Sequence, residues 1–330
     1  MAEFLTFDTD LTAVANAIRA KGGTSAQLVY PNGFVSAIQA IQTGITPKLV
    51  ITTAPGAAIT ATPAEGFKVV KGTAGADGMC TLELPKAGTW HVTAMANSVS
   101  NSQNIVIGTQ NMLLPLYHDT FADNTWEEII AVCRTGIAPD SWAVGDSKTM
   151  TIGGTAYQVD IIGKNHDEYA DGSGTAPLTF QLHDCYSEAK QMYSTNLSGL
   201  GWKNTDMRLT YLPAILALMP AEVKNGIRAV NKKTSEGGNS TTIETVSDTL
   251  FLLSEVEIFG TASSSVAGEG SQYDYYKAGN PKIKKREGVD EFWWERSSAS
   301  GGMFCRVRAN GQAGASNASN SLGVRFAFCF

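Results

Sequence analysis

The spacing of apolar positions changes twice along this chain. Near the start, Leu11, Val14, Ala15 and Ile18 recur at i, i+3, i+4 and i+7, which is one face of a helix. Asp10 is placed to cap that helix and Gly22-Gly23 to end it. A second short helix is predicted after Pro31, with Phe34, Ile38 and Ile41 on one side and a stop near Gly44. Two short amphipathic helices have no core of their own. Residues 1–45 therefore read as an attachment or oligomerisation segment, with a hairpin docked on its own domain as the alternative.

From residue 46 to 108 the period drops to two. Candidate strands fall at 48–52, 58–62, 67–71, 80–84, 89–94 and 104–108, separated by Pro55-Gly56, by glycines 75 and 78, and by Lys86-Ala87-Gly88. Short strands about ten residues apart predict a small β-sandwich. Its LPKAGTWHVTA segment resembles the strand-turn-strand of bacterial Ig-like modules.

Residues 109–330 mix both periods. Thr125 and Glu128 form a capping box ahead of Ile129, Ile130 and Cys133. A hairpin is predicted at 149–161 around Gly153-Gly154, and a second at 306–315 around Asn310-Gly311. A helix is expected over 207–223, disturbed by Pro213, and apolar strands at 249–253 and 256–259. A buried strand over 323–330 closes the chain. Helices and strands without a regular βαβ period mean α+β.

The last forty residues carry most of the functional information. Trp293 and Trp294 stand at the front, and Val324, Phe326, Phe328 and Cys329 at the back. Between them lies a stretch of mostly Ser, Ala, Gly and Asn, with Arg306 and Arg308 among them. Such a composition normally makes a linker. Pinned at both ends by groups that favour burial, it describes a binding surface better than a spacer.

Composition narrows the choice. The 330 residues suit two or three domains, and a hydrophobic share of 43% supports packed cores. A net charge of −6 argues against a nucleic-acid binder. No apolar run approaches the roughly 18 residues of a membrane span, so no insertion is expected. The acidic MAEFLTFDTD opening lacks signal-peptide character, which predicts synthesis in a cytosol without conventional export. Five scattered cysteines and no CxxC argue against a disulfide framework or zinc site. Cys305 and Cys329 read as small buried hydrophobes, with a disulfide between them as the alternative.

No GxSxG, Walker, HExxH or GxGxxG motif is present, so no catalytic activity or cofactor is expected. His183 and Cys185 are two apart by coincidence on this reading. Lys282, Lys284, Lys285 and Arg286 read as a solvated loop. Asp167, Glu168 and Asp171 lie in an oxygen-rich loop that could take calcium, although their spacing is not that of an EF-hand; a polar turn is the alternative.

Several segments carry a resemblance: DIIGKNHDEYADGSGTAPLTFQLHDC, MRLTYLPAILALMP, VNKKTSEGGNSTTIETVSDTLFLLSEVEIFG, GEGSQYDYY, WWERS and GVRFAFC. From about residue 160 onward the chain resembles a domain, formally of unknown function, common in tail proteins of phages and prophages of Gram-positive gut bacteria. LTAVANAIRAKGGTSAQLVYPNGFVSAIQAI looks like the start of tail-associated proteins of such phages. The domain is similar in pattern to the C-type-lectin-like fold, in the branch of formylglycine-generating enzymes and of the variable proteins of diversity-generating retroelements.

The resemblance implies a C-type-lectin-like domain over 109–330 with its first and last strands adjacent and a variable-region-like stretch at 297–322. It implies a virion-borne, tail-tip or fibre receptor-binding protein, homo-oligomeric and most simply a trimer. Its partners would be other tail proteins and a bacterial surface receptor, protein or glycan. The EPN, QPD and WND motifs of calcium-dependent sugar binding are absent. Formylglycine-generating chemistry would need a paired-cysteine site that only Cys305 and Cys329 could suggest. Strand alternation places Cys305, Val307 and Ala309 inward and Phe304, Arg306 and Arg308 outward. The expected binding set is Ser300, Gly301, Met303, Phe304, Arg306, Arg308, Gln312, Gly314, Ser316 and Asn317. Trp293, Trp294, Arg296, Val324, Phe326 and Phe328 are expected as scaffold. A tail-associated enzyme degrading cell wall or polysaccharide, and a bacterial surface adhesin, are the alternatives.

Overall fold

The computed structural model describes residues 8–22 and 47–330, apart from residues 65, 67, 86, 108–110, 198 and 239. The expected second helix at 31–44 lies outside the described residues. The chain forms two compact units, Met1–Tyr117 and His118–Phe330.

In the first unit, helix α1 spans Asp8–Gly22, so Asp10 lies within the helix instead of capping it. Ala15 and Ile18 are buried, while Val14 of the same predicted stripe is exposed. Among the described residues the strands that follow are β1 Lys48–Thr52, β2 Ala58–Pro63, β3 Val70–Thr73, β4 Met79–Glu83, β5 Gly88–Ala96, β6 Val99–Ile107 and β7 Asn111–Leu113. They make two sheets, ordered β4-β1-β7 and β3-β2-β5-β6. Leu49, Ile51 and Leu82 of one sheet and Ile59, Trp90 and Val92 of the other share a single apolar core. Strand β1 buries every second residue, as a half-buried strand must.

Two strands depart from expectation. The one predicted at 67–71 begins at Val70. The one predicted at 104–108 begins at Val99, because Asn97 and Ser98 take positive φ (48° and 67°) and turn the chain directly from β5 into β6. The polar run SNSQN carries no apolar alternation and gave no strand signal.

The second unit is rich in sheet. Its helices are α2 Trp126–Cys133, α3 Leu212–Ala217, α4 Ala221–Gly226, α5 Glu255–Phe259 and α6 Asp274–Lys277. Its strands are β8 Ser147–Ile152, β9 Thr155–Lys164, β10 Leu178–Leu182, β11 Val230–Ser235, β12 Ile243–Asp248, β13 Lys284–Arg286, β14 Val289–Glu291, β15 Trp293–Ser298, β16 Met303–Val307, β17 Ala313–Asn317 and β18 Ala327–Cys329. The class is α+β, weighted toward β.

The central sheet is ordered β18-β10-β9-β8. Strand β10 is buried along its whole length, and Phe180 at its centre stacks on Phe328 at 5.3 Å and meets Trp126 edge-on at 5.9 Å. The first and last strands, expected to be adjacent, bound this sheet from opposite edges. The closing strand is shorter than expected, at Ala327–Cys329, with Gly323 bridged separately to Trp293. The Gly153-Gly154 hairpin and the Thr125–Glu128 capping box both form.

Three further elements differ. Residues 256–259 are helical in α5: Ser254 and Glu257 make a reciprocal capping box, and Gly260 at φ 78° ends the turn. In the apolar run at 249–253, Thr249 is exposed and residues 250–253 are buried without forming a strand: Phe251 bridges Ala327, and the Leu253 carbonyl accepts from the Arg296 N–H of β15 at 2.8 Å. The helix expected over 207–223 is a π-turn at Met207–Tyr211, then α3 with Pro213 in its first turn, then α4 after a break at Pro220.

Candidate ligand-binding surface

A three-stranded antiparallel sheet, β15-β16-β17, carries the C-terminal stretch. All six residues of β15 are buried, including Trp293, Trp294 and Arg296. The Trp294 indole N–H donates to the Lys190 carbonyl at 2.8 Å. Arg296 donates to the carbonyls of Leu252, Lys233 and Glu269 and to the Glu257 carboxylate. The outer strands therefore rest on a base held by packing and by hydrogen bonds.

The structure divides the ten expected binding residues into two groups. At one end, Ser300 and Gly301 are exposed in the β15–β16 turn, and Met303 pairs across the ladder with exposed Asn317. Gly302 fixes that turn: its φ is 79°, and a Cβ there would sit 2.4 Å from the Asn196 carbonyl oxygen. At the other end lie Arg306, Arg308 and Gln312, with the Arg308 N–H donating to the Gln312 carbonyl at 2.7 Å. The five residues of β16 set the two ends about 16 Å apart.

Three members of the set are buried, and Met303 and Arg306 are half-buried. Phe304 is fully buried, its ring 6.1 Å from that of Tyr193. Ser316, its ladder partner, is buried as well. Gly314 is covered by the side chain of Arg308: a Cβ there would lie 2.8 Å from Arg308 Nε. Both faces of this sheet are covered near its middle, so alternation does not separate core from surface. Cys305 and Val307 are buried as expected, and Ala309 is half-buried.

What remains is a cationic patch. Register Trp293–Val307, continued by one residue, sets Phe292 opposite Arg308 and diagonal to Arg306. The Arg306 guanidinium lies over the Phe292 ring at 4.2 Å and donates through Nε to the Ala315 carbonyl at 3.2 Å. Burial and then the neighbouring Arg308 charge lower the Arg306 pKa. Among the described residues neither arginine makes an ion pair. Phe292 belongs to this patch, and only the register, which sequence does not show, could reveal it.

The acidic loop resolves differently. Asp167 is buried and takes the Lys232 ammonium at 2.6 Å, while exposed Asp171 pairs with Arg228 at 2.6 Å. Their carboxylates thus face separate cations. Among the described residues no group of three or more His, Cys, Asp or Glu side chains could hold a metal ion. Burial opposes ionisation of Asp167, but Lys232 outweighs it and holds its pKa at about 2. Lys232 also meets Glu257 at 2.7 Å, and Glu257 is clamped by Arg296. A cleft of about 440 Å³ opens onto Asp167, Lys232 and Glu257, with His166, Glu168, Asn231 and Lys233 also in its walls.

The basic run is not a solvated loop throughout. Lys284 is buried, and burial followed by the Arg325 charge lowers its pKa to about 7. His183 pairs with buried Asp160 at 2.8 Å and not with Cys185, whose thiol burial pushes up to about 12. All five cysteines are free and buried. Cys305 lies beside Glu255 and Cys329 beside Asp167 and Thr179, so the two do not form the alternative disulfide. Among the described residues no helix is long and apolar enough to cross a membrane.

No curated protein and no solved structure matches the chain. Residues 179–330, somewhat less than half of the chain, match the family described as "Domain of unknown function (DUF6273)", a stretch that takes in the central strand β10, the buried ion network from Lys232 onward and the whole β15-β16-β17 sheet.

Proposed function

We propose that this chain is a receptor-binding protein of a phage tail, with a C-type-lectin-like second unit that displays a recognition surface toward the host cell. The observation that carries this reading is the Arg306–Arg308–Phe292 patch: two arginines that make no ion pair among the described residues, one on β16 and one just after it, beside the wholly buried β15. Arginine and aromatic anchors surrounded by small polar groups are typical of adaptable recognition surfaces. Exposed Ser300, Asn310, Gln312 and Asn317 supply those polar groups. The likeness of the sequence to tail proteins supplies the setting. On this reading the first unit attaches and spaces, the assembly is a homo-oligomer, and the receptor is a bacterial surface protein or glycan.

The test uses labelled full-length protein on a panel of Gram-positive gut bacteria. Cells that bind the parent should bind Arg306→Ala and Arg308→Ala less well. Loss of an anchor worth about 2 kcal/mol corresponds to roughly thirtyfold weaker binding. The melting temperature of Arg308→Ala should stay near the parent's, since exposed changes cost no more than about 0.5 kcal/mol. Half-buried Arg306→Ala also loses its bond to the Ala315 carbonyl and its packing on Phe292 and should cost about 1 kcal/mol while remaining folded. Unchanged cell binding by both folded variants would remove the patch from the proposal.

A further inference from the structure

The buried ion network holds an arrangement that reaches beyond surface recognition. Lys232 on β11, Asp167 in the loop after β9 and Glu257 on α5 meet in the interior, each no more than 3% exposed. Lys232 Nζ lies 2.6 Å from Asp167 Oδ1 and 2.7 Å from Glu257 Oε1. Aromatic rings close around the amine: Phe251 at 4.4 Å and Tyr273 at 5.4 Å from their centroids. On the far side of the Asp167 carboxyl, Oδ2 accepts from the Thr179 hydroxyl at 2.6 Å and the Tyr273 hydroxyl at 2.8 Å. An amine, a polarised carboxyl and a second carboxylate therefore share one enclosed site.

We propose that Lys232 and Asp167 condense to an intramolecular amide cross-link, with Glu257 as the proton shuttle. The ion pair and the neutral amine–acid pair differ by one proton moving along the 2.6 Å hydrogen bond from Nζ to Oδ1. Burial favours the neutral pair, but Asp167 and Glu257 outweigh it and raise the Lys232 pKa, so the neutral pair is the minor form from which attack starts. The Nζ lone pair then attacks Asp167 Cγ, forming the C–N bond and placing negative charge on Oδ2. Thr179 and Tyr273 already donate to that atom, as donors to a developing oxyanion must. Glu257 Oε1 takes one proton from the nitrogen and returns it to the Oδ1 hydroxyl. The Cγ–Oδ1 bond breaks and water leaves, carrying Oδ1. Oδ2 remains as the amide oxygen. Nothing is oxidised or reduced, and the atoms balance as amine plus acid giving amide plus water.

Other features of the surroundings favour the reaction once the amine is neutral. Burial opposes ionisation of Glu257, but Arg296 and Lys232 outweigh it and hold its pKa below the usual value, so it is available as a base. The cleft over the triad gives the released water an exit. Holding reacting groups in contact replaces a bimolecular encounter by an intramolecular one. The bond would join residues 65 positions apart and tie β11 to the β9 loop.

The measurement is the intact mass of the purified, denatured full-length chain. It should be lighter than the sequence requires by one water, with peptide mapping giving a branched product that joins the Asp167 and Lys232 peptides. A mass equal to that of the sequence, from protein that was folded before denaturation, would overturn the cross-link. Glu257→Gln, if folded, should carry the full mass; a folded Glu257→Gln that still lacks water would overturn the assigned shuttle. Should that variant not fold, the parent's mass decides the cross-link and Asp167→Asn tests the site again, since its condensation expels ammonia and predicts the same branched product. These readouts do not depend on receptor binding, so the cross-link and the recognition surface stand or fall separately.

Discussion

Glu295 lies in the middle of buried β15, and among the described residues neither of its carboxyl oxygens has a hydrogen-bond partner. Burial, and then the negative charges of Glu255 and Glu269, push its pKa well above the ordinary 4.5. Glu255 is held ionised by the hydroxyl and amide groups of Ser263, Ser264 and Ser265 despite its own burial. A carboxyl with a raised folded pKa stabilises the fold relative to higher pH only while the unfolded chain is also protonated. Above 4.5 the unfolded state releases a proton that the folded state keeps, so stability falls as pH rises. Glu295→Gln removes that dependence at nearly constant shape. Urea unfolding between pH 4 and pH 8 should show the variant gaining on the parent as pH rises; a difference that is flat with pH would mean Glu295 is ionised in the fold.

At the scale of single elements, the same four-residue device occurs twice with different surroundings. Thr125 with Glu128 starts α2 at the surface, and Ser254 with Glu257 starts α5 in the interior. Ser254 also donates its hydroxyl to the Glu269 carbonyl at 2.7 Å. Thr125→Ala should cost about 1 kcal/mol, the usual value of a lost N-cap. Ser254→Ala should cost more, roughly 2 kcal/mol or above, because a buried carbonyl loses its donor too. Equal costs in urea unfolding would mean that burial adds nothing. The pair also shows what sequence could and could not convey. The first box preceded a clear apolar helix and was legible. The second sat in a run, LFLLSEVEIF, whose apolar density reads as strand, and its capping residues went unread. The two glycine-marked hairpins were legible because their turn chemistry is local. The Lys232–Asp167 pair was not, because nothing in a sequence ties two positions so far apart.

For the whole molecule, each unit has its own core: the shared interior of the two sheets in one, and the Phe180–Phe328 stack with β15 in the other. A chain of residues 118–330 should therefore fold alone, with near-UV circular dichroism and a cooperative melt. A fragment without fixed tertiary signal would mean that the second unit needs the first to complete it. For the candidate surface, the buried frame of the final forty residues was legible at this scale, and the exposure of its individual side chains less so. Phe304, Ser316 and Gly314 sit on a sheet covered on both faces, a fact of layering that alternation along one strand cannot express.

Gly314 lies beneath the side chain of Arg308, with no room for a Cβ unless the arginine moves. Positions 308 and 314 therefore cannot be chosen independently. In a library randomised along the hairpin, a side chain at 314 would displace the arginine, and its effect on affinity would reverse or vanish wherever residue 308 is small. Asn310 and Gln312, hydrogen-bonded to one another, form a second such couple. The repertoire this surface can explore is thus smaller than its count of exposed positions, and selected winners should show linked choices at these pairs.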